Sequence, residues 1–315
     1  MPSKKILVIV GPTASGKTRM AVELAKAHNG EVVSADSMQI YRRMDIGTAK
    51  PTAEEMDGVP HHMIDVADPE EDFSVARYVE MASACVDDIL ARGKLPIVAG
   101  GTGLYVDSLL SGRTFAAFSP DSSLRKELEA ELAERGGEAM LSELSRVDPE
   151  AAARLHPNDH KRIVRALEVY RSTGKTISEH NRETQALPPR YEALTIGLNF
   201  QDRADLWARI DARVDQMAAD GLEREVRELL SSGLSPRCTA MQAIGYKEFV
   251  AAVEGTMTWR EAEELVKLRS RQYAKRQLTW FRRNPEVHWL LWEKNPNFGN
   301  ARQRSTELLE EFGLG

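Results

Sequence analysis

Eight consecutive residues, Gly11-Pro12-Thr13-Ala14-Ser15-Gly16-Lys17-Thr18, carry the spacing G-x-x-x-x-G-K-[ST]. That spacing does chemistry on phosphates. The glycines let backbone amides turn inward around a diphosphate-sized anion. The helix that follows adds a partial positive charge at its start, and Lys17 adds a full one. The Thr18 hydroxyl is placed to bind a magnesium ion, Mg2+, carried by the phosphate oxygens. The flanks agree. Ile6 to Val10 is a β-branched apolar run that reads as a buried strand, and Arg19 to Lys26 reads as an amphipathic helix. Strand, glycine loop and helix together make a P-loop.

A second chemical group follows. Glu31 to Asp36 reads as a strand that ends in a carboxylate. In open α/β sheets ligands sit at the carboxyl ends of strands, so Asp36 faces the crevice of the P-loop. Its plainer reading is a helix N-cap. The polar stretch from Asp36 through Ser37, Met38 and Gln39 to Pro51 has no clear period and reads as a loop that carries chemistry. A third strand, Leu95 to Ala99, runs into Gly100-Gly101-Thr102-Gly103. A hydrolysing NTPase has a magnesium-binding Asp in this place. Here Thr102 is the only polar side chain, which weakens ATP hydrolysis as a reading. The adjacent His61 and His62 point to opposite faces of a strand, so they read as structural and not as a metal pair.

The rest of the chain must position these groups. Residues 116–190 are charged and helical and read as an insertion into an α/β core of 1–115 and 191–315. Within it a helix is delimited by His156-Pro157-Asn158 and Gly174, with Ile163, Leu167 and Tyr170 on one face and Lys161, Arg162 and Arg165 off it. A helix over 203–219 aligns Trp207, Ile210, Val214 and Met217. Arg213 lies off that stripe, either reaching the crevice or on the plain surface. Gln242 to Glu248 reads as the start of another helix, and Gly245 inside it is costly unless something approaches closely. Thr258 to Glu261 is a capping box opening a helix to Arg282. From Leu265 to Arg283 this helix holds Lys267, Arg269, Arg271, Lys275, Arg276, Arg282 and Arg283 and no acid, with Tyr273, Trp280 and Phe281 interleaved. The protein as a whole has net charge −6. A local basic surface of this kind suits a nucleic-acid backbone. Val287 to Leu291 reads as a last edge strand, and the polar tail from Asn295 as peripheral.

Composition sets outer bounds. With 42% hydrophobic and 29% charged residues in 315, this is an ordinary globular chain. No apolar run is long enough to span a bilayer. Lys4-Lys5 before a short apolar run imitates a signal peptide, but the run enters the P-loop and not a cleavage site. The two cysteines, Cys85 and Cys238, form no framework and read as small buried residues. These features point to the cytoplasm.

Taken together, the segments resemble one family, the bacterial tRNA dimethylallyltransferases. They are GPTASGKT at 11–18, DSMQIYRRMDIGTAKP at 36–51, PHHMID at 60–65, GGTGLY at 100–105, HPNDHKRIVRALEVYRSTGK at 156–175, QAIGYKE at 242–248 and AKRQLTWFRR at 274–283. Only the first is widely shared. The resemblance implies a P-loop NTPase-like parallel sheet flanked by helices, with a helical insertion domain. It implies transfer of a dimethylallyl group from dimethylallyl diphosphate to the exocyclic amine of the adenosine 3′ of the anticodon, with magnesium assisting. It also implies roles. Asp36, Thr102 and Arg213 would be catalytic, and residues 11–18 would hold diphosphate. Asp36, Ser37, Met38, Gln39, Asp159, His160, Lys161, Arg162, Ile163, Val164, Gln242, Gly245, Lys275, Arg276, Gln277 and Trp280 would meet the tRNA anticodon stem-loop. The target base must be flipped out of its stack to reach such a crevice. The enzyme is expected to act as a monomer. Two other readings compete: a P-loop kinase or adenylate prenyltransferase acting on a free nucleotide, which needs no basic stripe, and a non-catalytic RNA-binding protein, which tolerates loss of Asp36.

Overall fold

Ile6 to Val10 are wholly sealed from solvent. A run that is apolar at every position is what a parallel strand covered on both faces requires. The structure, a computed structural model, describes residues 4–112, 122–185 and 188–314. The chain forms two compact units, 1–110 with 190–315, and 111–189. The expected boundary at 115/116 falls outside the described residues.

In the first unit the strands are β1 (Lys5–Val10), β2 (Gly30–Ser34), β3 (His61–His62), β4 (Leu95–Gly100), β5 (Glu192–Phe200) and β6 (His288–Trp292). They make one sheet in the order β3-β2-β4-β1-β5-β6, every pair parallel. Parallel pairing gathers all the carboxyl ends at one edge, so the P-loop, Asp36, the glycines after β4 and Trp292 converge there. The helices in chain order are α1 (Lys17–Ala27), α2 (Ala53–Met56), α3 (Val75–Ala91), α4 (Gly103–Leu110), α5 (Ser122–Val147), α6 (Pro149–Ala152), α7 (His160–Thr173), α8 (Ile177–Gln185), α9 (Arg203–Asp220), α10 (Leu222–Ser231), α11 (Tyr246–Val253), α12 (Trp259–Phe281) and α13 (Phe298–Phe312). The glycine that ends β4 has a steric cause. A Cβ on Gly100 would lie 2.2 Å from the carbonyl oxygen of Ala35, where β2 passes beside it.

Three expectations need correction. The tail is not peripheral: Phe298, Ala301, Leu308 and Leu309 of α13 join the main apolar cluster with Leu24 and Ile196. Gly245 is not inside a helix. It precedes α11 with φ 101°, a conformation that favours glycine, so no close approach is needed to explain it. The helix placed at His156 begins at His160, because His156 to Asp159 close a turn in which the Asp159 carboxylate accepts from the His156 amide at 2.9 Å.

His61 and His62 are each used locally. His61 Nδ1 lies 2.8 Å from the Val59 carbonyl, and His62 Nε2 lies 2.8 Å from the Glu31 carboxylate. Arg92 first, with Lys94 and His62 after it, holds Glu31 well below the usual carboxylate range against the pull of burial.

The second unit consists of α5 to α8 around Leu128, Met140, Leu144 and Leu167. Ile163 and Val164 belong to this core, at 0% and 2% exposure. Their side chains face inward because they fall on the apolar stripe of α7, so they offer no surface to tRNA. His160, Lys161 and Arg162, one turn earlier, are exposed.

Candidate active site

The P-loop is held open by donors that take its outward-facing carbonyls. Lys17 Nζ donates to Pro12 O at 2.7 Å, Arg209 Nε to Ala14 O at 3.3 Å, and the Trp292 indole to Ser15 O at 2.8 Å. Gln277 accepts from the Thr13 amide at 2.9 Å and donates to Gly101 O at 3.0 Å, tying the loop to the end of β4. Arg213 reaches in from α9, with Nη1 3.4 Å from Thr13 Oγ1. Gly11 has no room for a side chain, since a Cβ would lie 2.4 Å from Leu198 O. Ser15 Oγ is buried and has no partner among the described residues.

This cradle is short of an anion. Burial, then the charge of Arg213, pulls the Lys17 ammonium down to about 7, with Asp36 opposing. Burial also depresses Arg213, again with Asp36 opposing. Two cations withdrawn from water next to an orphaned hydroxyl make a site whose electrostatics improve when a phosphate group enters.

Asp36 lies at the crevice, as its strand-end position implies, but it caps a turn and not the helix of its plainer reading, since no helix follows it directly. Its Oδ1 accepts from the amides of Met38 at 2.9 Å and Gln39 at 3.4 Å, a turn-capping role. Its Oδ2 has no hydrogen-bond partner among the described residues. Asp36 lines two adjoining cavities. One, of about 530 Å³, holds the P-loop with Lys17, Thr18, Glu55 and Phe298. The other, of about 430 Å³, is lined by Met38, Ile210, Val214, Met217, Ile244 and Val266 among others. Thr13, Asp36, Thr48, Arg213 and Tyr273 line both. Burial, then the charge of Asp36, pushes the Tyr273 phenol up to about 12, so it stays a neutral donor.

Thr102 stands beside Ser37 and within hydrogen-bond reach of the Tyr273 phenol, which lines both cavities. It lines neither cavity and accepts from the Ser37 amide at 3.0 Å, so it shapes the loop beside Asp36. Gln39 is also occupied: its amide donates to Thr48 O at 3.4 Å and Ala49 O at 3.1 Å, and it accepts from Ser34 Oγ at 3.2 Å. With both amide hydrogens committed, Gln39 braces the loop, and reading a base edge would need those bonds to break.

The loop has a further anchor that no local pattern announced. The buried carboxylate of Glu225 accepts from three successive amides, Asp45 at 3.0 Å, Ile46 at 2.8 Å and Gly47 at 3.2 Å, and from Tyr246 Oη at 2.5 Å. Gly47 cannot be larger, since a Cβ would lie 2.4 Å from the Tyr246 ring. Removing Glu225 orphans several buried donors at roughly 1–3 kcal/mol each where water cannot replace it. Glu225→Ala is therefore expected to lower unfolding stability by about 3 kcal/mol, read as a reduced urea midpoint.

The IPP transferase family model matches residues 39–284. The chain belongs to the IPP transferase family. It is 50% identical over 285 residues to the tRNA dimethylallyltransferase of Acetivibrio thermocellus, covering 90% of this chain and 91% of that protein. It is 50% identical over 311 residues to the one from Geobacter sulfurreducens, covering 98% and 97%. Among solved structures it resembles the full-length tRNA isopentenylpyrophosphate transferase of Bacillus halodurans, at 44% identity and TM-score 0.73, covering 98% of this chain and 97% of that one. It also resembles a eukaryotic dimethylallyltransferase caught acting on tRNA, at 32% identity and TM-score 0.84, covering 98% and 79%.

In this chain the basic run of α12 is narrower than its sequence implies. Lys267 is caged by Asp215, Glu263 and Glu264, and Arg271 pairs with Asp211 at 2.7 Å. Arg269, Lys275, Arg276, Arg282 and Arg283 have no salt bridge among the described residues and are exposed. Arg276 and Gln242 line the apolar cavity, and Gly245 does not. Gln277, expected at the RNA surface, is only 5% exposed because it is spent on the P-loop. Trp280 donates to Asp107 at 2.9 Å and stacks over the bare face of Gly103.

The sequence reading missed Trp292 and Phe298. Phe298 packs against Gly16 and under the Arg19 guanidinium, 4.0 Å from its ring centroid, closing the outer wall of the P-loop cavity. A signal was available for Trp292: it is the last residue of a parallel strand, and such residues meet at the ligand edge.

Proposed function

We propose that this protein transfers a dimethylallyl group from dimethylallyl diphosphate to the N6 amine of the adenosine 3′-adjacent to the anticodon in tRNA, releasing diphosphate. One observation carries the reading. A cationic diphosphate cradle adjoins a second cavity that is walled on one part by Met38, Ile210, Val214, Met217, Ile244 and Val266 and on another by polar groups such as Lys247 and Arg276, and Asp36 lines both. A kinase site needs only the cradle. The names of the relatives and structural neighbours support the same substrate pair.

In this mechanism the amides of 11–18, Lys17 and Arg213 hold the diphosphate and gain interaction energy as the allylic C–O bond breaks and negative charge grows on the leaving oxygen. The flipped adenine enters the second cavity from the side of Gln242 and Arg276, leaving the α9 wall to the donor's carbon chain, and Asp36 Oδ2 takes the proton lost by the amine. A magnesium ion fits the donor set, because such ions take one or two protein oxygens together with water and phosphate oxygens. Thr18 would hold it, with Asp36 and Glu55 on the same cavity wall. Bound there, the ion would add charge neutralisation at the leaving group. Among the described residues no helix is long and apolar enough to cross a membrane. A tRNA substrate supports action in the cytoplasm, and we propose that the enzyme acts as a monomer.

The test is to incubate protein, magnesium and labelled dimethylallyl diphosphate with unmodified tRNA or, in parallel, AMP. Label in tRNA alone is the expected result. Label in AMP alone, or ATP consumption with no label, would replace the reading. A second expectation concerns the surface. Lys275→Ala and Arg276→Ala should each weaken tRNA binding and reduce the slope of log K against log salt by about 0.7–0.9. A slope equal to wild type would take α12 out of the interface.

A further inference from the structure

The apolar cavity has a neighbour. A further cavity of about 330 Å³ lies between the loop carrying Ile46 and Ala49 and the later turns of α9, with Gln216 and Asp220 in its lining. Three residues line both cavities: Ala49, Arg213 and Met217. Ala49 contributes one methyl, and its carbonyl is committed to Gln39. Arg213 is held at the P-loop through Thr13. Met217 is the one large apolar side chain that the two linings share. It is half-buried and packs at the edge of the cluster containing Val214, Val266 and Tyr246.

The direction of the donor follows from the same helix. A diphosphate held at Thr13 and Arg213 sends its carbon chain along the face of α9 where Ile210, Val214 and Met217 recur at three- and four-residue spacing. Met217 stands last in that series, where the first cavity meets the second. A thioether chain with three rotatable bonds fills such a junction without strain.

We propose that Met217 is the gate that limits the donor to a five-carbon prenyl group. The inference rests on the prenyl-transfer reading. Trimming Met217 joins the two cavities, so that the ten-carbon chain of geranyl diphosphate can lie along α9 and pass into the adjoining space. The chemistry is unchanged. The allylic C1–O bond breaks with its electron pair leaving on diphosphate, the N6–C1 bond forms, and the amine proton goes to Asp36.

The test compares Met217→Ala, a good helix residue, with wild type and Met217→Phe, which refills the junction. Two quantities are read for geranyl and dimethylallyl diphosphate: kcat/KM with tRNA as acceptor, and Kd by calorimetry. A single methylene in an apolar pocket discriminates by about 10–200-fold. The geranyl-to-dimethylallyl ratio should therefore rise about 100-fold in Met217→Ala and stay within about threefold of wild type in Met217→Phe. A ratio unchanged in Met217→Ala, in turnover and in binding, overturns the gate. So does wild type using both donors equally well, or a rise of similar size in both variants. Failure of the prenyl-transfer reading has its own signature: wild type would modify no tRNA with dimethylallyl diphosphate, and the gate falls with it.

Discussion

Asp36→Asn is expected to lower prenyl transfer by about 10³-fold, within the 10²–10⁴ range of a positioned general base, while tRNA affinity stays within about threefold. The isosteric amide separates the two jobs of this residue. Asn retains an oxygen for the amides of Met38 and Gln39, so the loop keeps its turn. It loses the basicity of the second oxygen, which those amides leave free. Donor binding supplies an internal control. The carboxylate now raises the proton affinity of Lys17 and offsets the positive charge of Arg213. Without it Lys17 falls below about 7, and only at pH values lower still, where the lysine stays charged, is the cradle more cationic and dimethylallyl diphosphate expected to bind at least as tightly. Single-turnover kinetics with saturating donor would show the fall in the chemical step. If Asp36→Asn turns over like wild type while Asp36→Ala does not, Asp36 is a cap for the loop and not the base.

The parts of the site that were legible in the sequence are those encoded within one turn of chain. The P-loop needs only a strand, two glycines, a lysine and a helix in series. Asp36 follows from a strand end, whereas helical spacing left Arg213 open between crevice and surface and only the family resemblance put it in the site. The residues that brace the P-loop and the loop after Asp36 were not legible, because their partners are remote in sequence. Gln277 braces Thr13 across 264 residues, and Trp292 reaches Ser15 across 277. Glu225 organises three amides that look like ordinary loop. The basic run of α12 shows the opposite error. A charge pattern read along one helix cannot register Asp211 and Asp215 on the helix beside it, which neutralise Arg271 and Lys267. The parallel sheet itself was legible from its central strands, because β1 from Ile6 to Val10 and β4 from Leu95 to Ala99 are apolar throughout, a pattern that leaves neither face for water.

Donor affinity should fall by about tenfold for each pH unit above about 7, and Lys17 is the cause. In the empty site this ammonium is pulled down to about 7 by burial and by Arg213. A diphosphate placed against it favours the charged form, so its proton affinity rises on binding. Below about pH 7 the lysine is protonated in both states and affinity is at its plateau. Above that point each complex formed must take up a proton, at a cost of about 1.4 kcal/mol per unit. The fall continues until the pH passes the raised value in the complex. A phosphate ester sheds its last proton near pH 6, so the ligand charge is constant across the window. The stability of the empty protein should move the other way. The unfolded chain binds more protons at Lys17 between about 7 and 10.5 than the folded one does, and stability contributed by this group therefore rises with pH in that interval. Calorimetry without metal between pH 7 and 9, in buffers of different ionisation enthalpy, would show both the declining affinity and uptake of up to one proton. In Lys17→Arg the guanidinium does not titrate in this range, so its profile should be flat even though its affinity is lower. A flat wild-type profile with no proton uptake would mean that Lys17 is already charged in the empty site, and the cradle would then owe its affinity to its amides and Arg213.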